Sequence, residues 1–550
     1  MILEVPDHRK REGINMHALE TRSVSEGCRS TSIRRFGKRV SWLPRLRFGL
    51  LGLLLPSLLV AEDWPQFRGP NCSGVSLSKK ALPTEFSATK NVAWSAEVGD
   101  GIGSATVSAG RVFTSGMVGS KPEEMKFVVS CFDAETGKPL WKREYDPGKE
   151  PMPTITEPNS HASSTPAADA ERVYVYFTRL GLTALDAKTG ETVWKRDIPE
   201  PFFIFDWGAG MSPVLFEDKV IFCQDDDLSP AIYAFHRKTG DLIWKDDRSD
   251  MAVSYSHPVV VENKQGRELV VAGTGKLIGY DPSNGKRKWS ADLFCRNIKT
   301  TPVSHDGIVY VSVESFGIAY QWRATADTNG DGKITREEIQ QSRKQKDTPI
   351  PEAFWKKFER GDVNKDGVLE GEEIDNAFLD PKNQGGLLAK DSQARAGEEK
   401  DWKKFDAEQQ KESSLQAVRG GGSGDVSKTH LLWKKINKAP DHVISPLVAN
   451  GRMTLIKGGS FSSGFDVTNG DSLWQRQRLG LEGGCLSSPV YGDGKIYVAG
   501  QSGVVAVIED GPRPKVLATN DLGEPIIGTP AIADGRIFLR TRTKLVCVAK

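Results

Sequence analysis

At 550 residues the chain is long enough to bury a large core, and 27 % charged against 38 % hydrophobic residues is an ordinary globular balance. A formal net charge of +2 excludes a basic footprint for nucleic acid or an anionic membrane surface. Seven scattered cysteines, none spaced C-x-x-C, exclude a cysteine metal cluster and a dithiol redox motif.

Residues 1–61 read as a leader. Arg34, Arg35, Lys38, Arg39, Arg45 and Arg47 precede a short, mostly apolar run, Phe48–Val60, and Ala61 comes directly after it. A spanning helix needs about 20 apolar residues. A basic flank, a short apolar core and a small terminal residue instead predict a secretory signal cut after Ala61. An uncleaved anchor is the alternative, and the Arg34-Arg35 pair fits a twin-arginine signal only loosely. No cysteine stands just after the cut, so neither a lipid anchor nor a membrane span is expected in the mature chain. The expected destination is the periplasm or cell envelope, or the medium by secretion. Only Cys28 lies in the leader, and the pairing of the other cysteines is left open.

Trp64-Pro-Gln-Phe-Arg-Gly-Pro70 reads as an ordered lead-in packed on the main body of the fold. The chain then repeats. Leu182–Trp194 sets the pattern: an apolar strand, Asp186, then Gly190, then Trp194. Asp133/Gly137/Trp141, Asp281/Gly285/Trp289 and Asp466/Gly470/Trp474 keep it, and His236/Gly240/Trp244 keeps its spacing. Asp-x-x-Thr/Asn-Gly is a hairpin turn, because Asp bonds its own backbone and Gly tolerates positive φ. A small residue or His before a Pro opens each unit: Thr165-Pro166, Ser212-Pro213, His257-Pro258, Thr301-Pro302, Ser445-Pro446, Ser488-Pro489 and Thr529-Pro530. These prolines step by 47, 45, 44, 144, 43 and 41 residues, so the fifth unit carries an insert. Gly103–Phe113 is a first copy without the proline, which brings the total to eight. Four-stranded units at this period predict an all-β fold, an eight-bladed β-propeller. The last copy ends one strand short, and Asn91–Val98 is expected to supply that strand and close the ring. The expected organisation is leader 1–61, propeller 62–316, insert and helical tether 317–412, and propeller 413–550.

This register resembles the pyrroloquinoline-quinone-like (quinoprotein-type) repeat propellers. The resemblance implies that Trp141, Trp194, Trp244, Trp289, Trp433 and Trp474 dock blade against blade. The family's enzymes hold a quinone over a tryptophan in the channel, beside calcium bound by Glu and Asn, with an Asp base and a disulfide between adjacent cysteines. This chain has no adjacent cysteines and no C-x-x-C-H. The resemblance therefore implies the fold rather than the activity, and bound PQQ is not expected.

The insert carries the best-defined chemistry. Asp327–Glu338 and Asp362–Glu373 both match the twelve-residue EF-hand loop. Calcium is a hard cation that takes six to eight oxygens. Asp327, Asn329 and Asp331, or Asp362, Asn364 and Asp366, supply the first three positions. The carbonyls of Lys333 and Val368 serve at the seventh, Thr335 and Glu370 at the ninth, and Glu338 and Glu373 close each site. Gly332 and Gly367 permit the sharp turn, and Ile334 and Leu369 suit the short strand pair between two such loops. Two calcium sites are expected. The helix before Asp327 is poorly defined, and Glu370 is expected to strengthen the second loop. Residues 380–412 predict a surface helix packing Trp402 and Phe405 on the pair.

The insert falls between the second and third strands of blade five. Strands alternate direction, so it should stand on the face of the blade-to-blade loops, beside the channel mouth. His161, Asp206, Trp207, His257, Lys299, His442 and Glu482 are expected near that rim, mainly as structural groups. No nucleophile elbow, P-loop or His-Glu metalloprotease motif occurs. The preferred reading is an exported, monomeric, non-catalytic calcium-binding scaffold for a protein or glycan. A quinone-dependent oxidoreductase with diverged cofactor residues and an outer-membrane assembly scaffold are the alternatives.

Overall fold

Apolar alternation and turn chemistry repeat along the chain, and the strands they make assemble into equivalent sheets. In the computed structural model the described residues are 62–550, except 120, 122–123, 149, 151, 252, 294–297, 315–317, 379–412, 437–442 and 458–459. The leader and the segment carrying Trp402 and Phe405 lie outside them. The fold is an eight-bladed β-propeller of four-stranded sheets. Blade one comprises Thr106–Ser108, Arg111–Val118, Lys126–Asp133 and Pro139–Tyr145, all antiparallel. Blades two to seven occupy 167–196, 214–247, 259–292, 303–436, 447–478 and 490–521. The eighth sheet takes its first three strands from 531–548 and its fourth from Val92–Glu97, which pairs with Lys544–Val548. Gly424–Asp425 adds a short parallel fifth strand to blade four, which the sequence pattern does not announce. Among the described residues no helix is long and apolar enough to cross a membrane.

The repeat motif has a contact behind each letter. Asp133 Oδ1 accepts N–H bonds from Glu135 (3.2 Å) and Thr136 (2.8 Å), and Gly137 takes φ 71° to close the turn. Trp141 reaches the next blade. Its Nε1 donates to Ala187 O (3.1 Å), and its ring lies where a Cβ on Gly190 would come within 2.6 Å. Trp94, Trp194, Trp244 and Trp433 donate in the same way to Ala134, Arg237, Pro282 and Val467.

Trp289 and Trp474 depart from the expected docking. Trp289 donates to Glu268 Oε2 (3.0 Å) and Trp474 to Ser462 Oγ (3.3 Å), both within their own blades. The reason is steric. Their cross-strand partners are Gly279 and Gly464, which leave room for the indole, where the other blades have Cys131, Ala184, Ala234 and Ala417. The turns of the next blades, at 420–424 and 510–515, also lack the Asp-x-x-x-Gly seat.

Between the second and third strands of the fifth sheet, Ile308–Glu314 and Ser413–Arg419, the chain forms four helices. They are α1 (Ile318–Ala326), α2 (Arg336–Ser342), α3 (Glu352–Gly361) and α4 (Glu372–Phe378). The segment before Asp327 is thus a regular helix. Trp322 anchors it, fully buried and stacked on Phe378 at 3.5 Å between ring centroids. Ile334–Thr335 and Val368–Leu369 form a two-stranded ladder that joins the two loops.

Candidate functional site

The two twelve-residue loops fold alike. In the first, Asp327 accepts N–H bonds from Gly330 (2.6 Å), Asp331 (3.2 Å) and Gly332 (2.9 Å). In the second, Asp362 accepts from Asp366 (3.1 Å) and Gly367 (3.0 Å). Asn329 and Asn364 each donate to the aspartate two residues on, Asp331 (3.1 Å) and Asp366 (3.0 Å). Those aspartates take N–H bonds from Lys333 and Val368. Glu338 folds back across its loop to the N–H groups of Thr328 and Thr335, and Glu373 to those of Val363 and Glu370. Gly332 and Gly367 share φ 84°. Thr335 and Glu338 also form a capping box at the start of α2.

Among the described residues no three His, Cys, Asp or Glu side chains converge into a ready metal cage. The carboxylates face their own loop amides instead, and amide, hydroxyl and carbonyl oxygens would make up the rest of a donor set. That set, all oxygen, fits a hard cation. Glu370 pairs with Lys333 Nζ at 2.7 Å, an exposed contact between the loops.

The loop pair sits on blade three. Trp322, Phe354, Phe358 and Phe378 pack with Ile204 and Phe205 in one buried cluster. Asp206 is the polar anchor. Its carboxylate accepts from Arg343 Nη2 (3.1 Å), Lys344 N (2.8 Å), Gln345 N (3.3 Å) and Gln345 Nε2 (3.0 Å). The side chains of Asp206 and Arg343 are 1 % and 3 % exposed. Lys357 Nζ donates to Asp227 O, and Asp226, whose carboxyl burial pushes up to about 6, holds the same platform through Phe202 N and Ser229 N.

The next residue after the anchor, Trp207, lines the central channel, a cavity of about 450 Å³ shared by the blades. Its carbonyl accepts from Asn159 Nδ2 (2.7 Å), and Lys299 Nζ lies 5.5 Å from its ring centroid. Of the residues expected at the rim, Trp207, His257 and Lys299 line this cavity. Asp206 grips the insert instead. His161 is half-buried, which lowers its basicity, and it does not line the cavity; Glu482 is exposed away from it. His442 lies outside the described residues.

The far end of the channel is crossed by the lead-in segment. Trp64 pairs with Val107, Gln66 Oε1 accepts from Leu215 N (2.8 Å), Asn71 brackets Val260, and Val75 pairs with Tyr491. Phe67 stacks on His257 at 4.6 Å. Arg68 is fully buried, donates to Pro446 O (2.5 Å), and meets no carboxylate among the described residues. Burial lowers its basicity to about 10. The sequence signal for this floor was an arginine set among Trp64, Phe67 and Gly69 in a segment otherwise built for packing. The described cysteines, Cys72, Cys131, Cys223, Cys485 and Cys547, are all buried.

Eight four-stranded sheets around one channel define the class: a β-propeller with a helical insert on its loop face. The sequence decides the family. The profile described as "Outer membrane protein assembly factor BamB" matches residues 125–347 and 464–549, more than half of the chain, and the chain belongs to that PQQ-like repeat family. It is similar to the quinoprotein ethanol dehydrogenase of Pseudomonas aeruginosa, 27 % identical over 131 residues, or 21 % of this chain and 20 % of that protein. It is also similar to the quinohemoprotein alcohol dehydrogenase ADH IIB of Pseudomonas putida, 28 % identical over 166 residues, or 28 % and 24 % of the two chains. The chain thus spans less than two thirds of the length of these relatives. Among solved structures, BamB from Moraxella catarrhalis aligns with TM-score 0.44 and 11 % identity, covering 79 % of this chain and 93 % of that one.

Proposed function

We propose that this chain is an exported, non-catalytic calcium-binding propeller, an interaction scaffold that takes a protein or glycan on its channel face. The observation that carries the reading is the matched pair of loops, Asp327–Glu338 and Asp362–Glu373. They share one hydrogen-bond pattern, are joined by the Ile334–Leu369 ladder, and are docked beside the channel mouth through Asp206. In EF-hand fashion, Asp327, Asn329, Asp331, the Lys333 carbonyl, Thr335 and Glu338 would hold one calcium. Asp362, Asn364, Asp366, the Val368 carbonyl, Glu370 and Glu373 would hold the second, once Glu370 leaves Lys333. Calcium there would neutralise the crowded carboxylates and stiffen the insert, completing or covering a partner site at the mouth.

Membership of a family described as an outer membrane assembly factor favours a second reading, a scaffold for assembly at that membrane. The similarity to quinoprotein dehydrogenases is confined to a minor part of their length, so a PQQ-dependent activity has weaker support.

Calorimetric titration of calcium into chelator-washed protein, beside the Glu338→Gln/Glu373→Gln double variant, tests the reading. Saturable binding with Kd of about 10⁻⁴–10⁻³ M, lost in the variant, is the expected result. No heat up to several times that range would overturn it. A partner captured on the calcium-loaded protein should also release into chelator.

A further inference from the structure

The residues before the repeat prolines form a ring around the channel, and that ring has a one-sided hydrogen-bond chemistry. Ser104 N donates to Thr165 Oγ1 (2.9 Å), Thr165 N to Ser212 Oγ (3.0 Å), Thr301 N to Ser445 Oγ (2.9 Å), Ser445 N to Ser488 Oγ (3.1 Å) and Ser488 N to Thr529 Oγ1 (3.0 Å). Each hydroxyl therefore accepts a backbone N–H from the preceding blade. Its own proton has no acceptor among the described residues, and all five acceptor residues line the cavity. A hydroxyl that already accepts an N–H is left as a donor toward the channel axis.

Blade four breaks the ring with His257. Its backbone N–H and Nδ1 both face Thr301 Oγ1, the latter at 3.0 Å. With Thr301 donating its hydroxyl proton to Nδ1, the ring proton resides on Nε2. His257 is 6 % exposed, lines the cavity, and its Nε2 is buried with no partner among the described residues. An unsatisfied buried donor is costly unless something accepts from it. Burial and the nearby Arg68 charge keep this imidazole neutral, so it stays a single donor.

Arg68 completes the electrostatics. Its Nε and Nη1 are buried without a partner among the described residues. The carboxylate that lines the mouth, Glu157, is 76 % exposed and lies 3.8 Å from Arg542 Nη1. The inner channel is therefore a set of donors beside a cation, with Phe67, Trp207 and Tyr255 as its aromatic walls.

We propose that the inner channel is an oxyanion site. A carboxylate or sulfate-type group sits on the axis and accepts from His257 Nε2 and the hydroxyls of Thr165, Ser212, Ser445, Ser488 and Thr529, beside the buried charge of Arg68. The cavity, about 450 Å³, exceeds a bare ion, so the oxyanion belongs to a small organic acid or to an acidic group that a larger partner inserts. The site is separate from the calcium loops and does not rest on their occupancy.

The test is calorimetry on the full chain without added calcium, at constant ionic strength set with chloride. The probes are sodium sulfate, N-acetylalanine as a peptide carboxylate, and glucuronate as a sugar acid. Saturable binding of at least one is expected, and the tightest probe identifies the source of the group. His257→Phe keeps a ring against Phe67 while removing Nε2, and Ser488→Ala removes one hydroxyl. Each should weaken binding about tenfold or more, whereas His305→Phe, on an exposed turn, should leave it unchanged. Melting temperatures identify any variant that does not fold, and the other then carries the comparison. No saturable heat with any probe on the wild-type chain, or equal affinity in a folded His257→Phe or Ser488→Ala protein, would overturn the proposal.

Discussion

The propeller ring and the helical insert are held together in opposite ways. The ring uses one contact many times: a Trp such as Trp141 or Trp194 seats on the next blade's turn and bonds its carbonyl. The insert uses contacts that occur once, an aromatic cluster around Trp322 and the buried Asp206–Arg343 pair. Repetition spreads stability over many junctions, so losing one is local. A single anchor concentrates it, so losing Asp206 should release a whole module. The exceptions within the ring, Trp289 and Trp474, lie where the next turn has lost its glycine seat.

The largest expected effect probes the ring at its least regular member. His257 is held neutral by burial, down to about 3 against an ordinary value of 6.5. Between those values the unfolded chain binds a proton that the folded chain does not. The contribution is therefore complete above pH 6.5 and lost as pH falls toward 3. It should reach about 4–5 kcal/mol, read as the difference in pH-dependent denaturation between the wild type and His257→Phe. Asp206→Ala comes next. It leaves Arg343 buried without its carboxylate, and a broken buried pair costs about 3–5 kcal/mol. Hydrogen exchange should show the loss confined to 318–378 and to the 202–210 platform, with the blades still protected. Loss of protection throughout the ring would break the contrast between distributed and concentrated anchoring.

Trp141→Ala should cost about 3 kcal/mol in a denaturant midpoint series, through the emptied seat over Gly190. Trp474→Ala should cost about 1 kcal/mol, because that indole is only half-buried and serves its own blade. Equal costs for the two would mean that the inter-blade carbonyl bond is not what sets the regular junctions apart. The comparison is sharpened further by Gly464→Ala, which should force Trp474 out of its self-docked position and raise its exposure to acrylamide quenching.

Much of this was legible in the order of residues. Asp133, Gly137 and Trp141 announce a turn and a docking indole, since each acts on neighbours in sequence or one period away. Gly279 and Gly464, two residues before the turn aspartate, also marked the blades whose Trp folds back. Ala184 and Ala234 hold the same position in regular blades, so the contrast in side-chain size was the available signal. The turns of the two twelve-residue loops were legible for the same reason, because their internal hydrogen bonds lie within one short stretch. What was hidden depends on distance along the chain. Asp206 and Arg343 are 137 residues apart, and Arg68 meets Pro446 at a separation of 378. Neither lies in any repeat whose period would pair them.

The sequence by itself determined the blade count, the place where the insert interrupts the repeat, and the oxygen-rich chemistry of the two loops, because turn geometry and period-two burial are local properties. Only the tertiary structure decided which blade the insert rests on, which end of the channel the Trp64–Pro70 segment crosses, and that the pre-proline hydroxyls and His257 line one enclosed space with the buried Arg68 beside His257. Those outcomes depend on ring closure, which brings residues from every blade around one axis and removes them from water together.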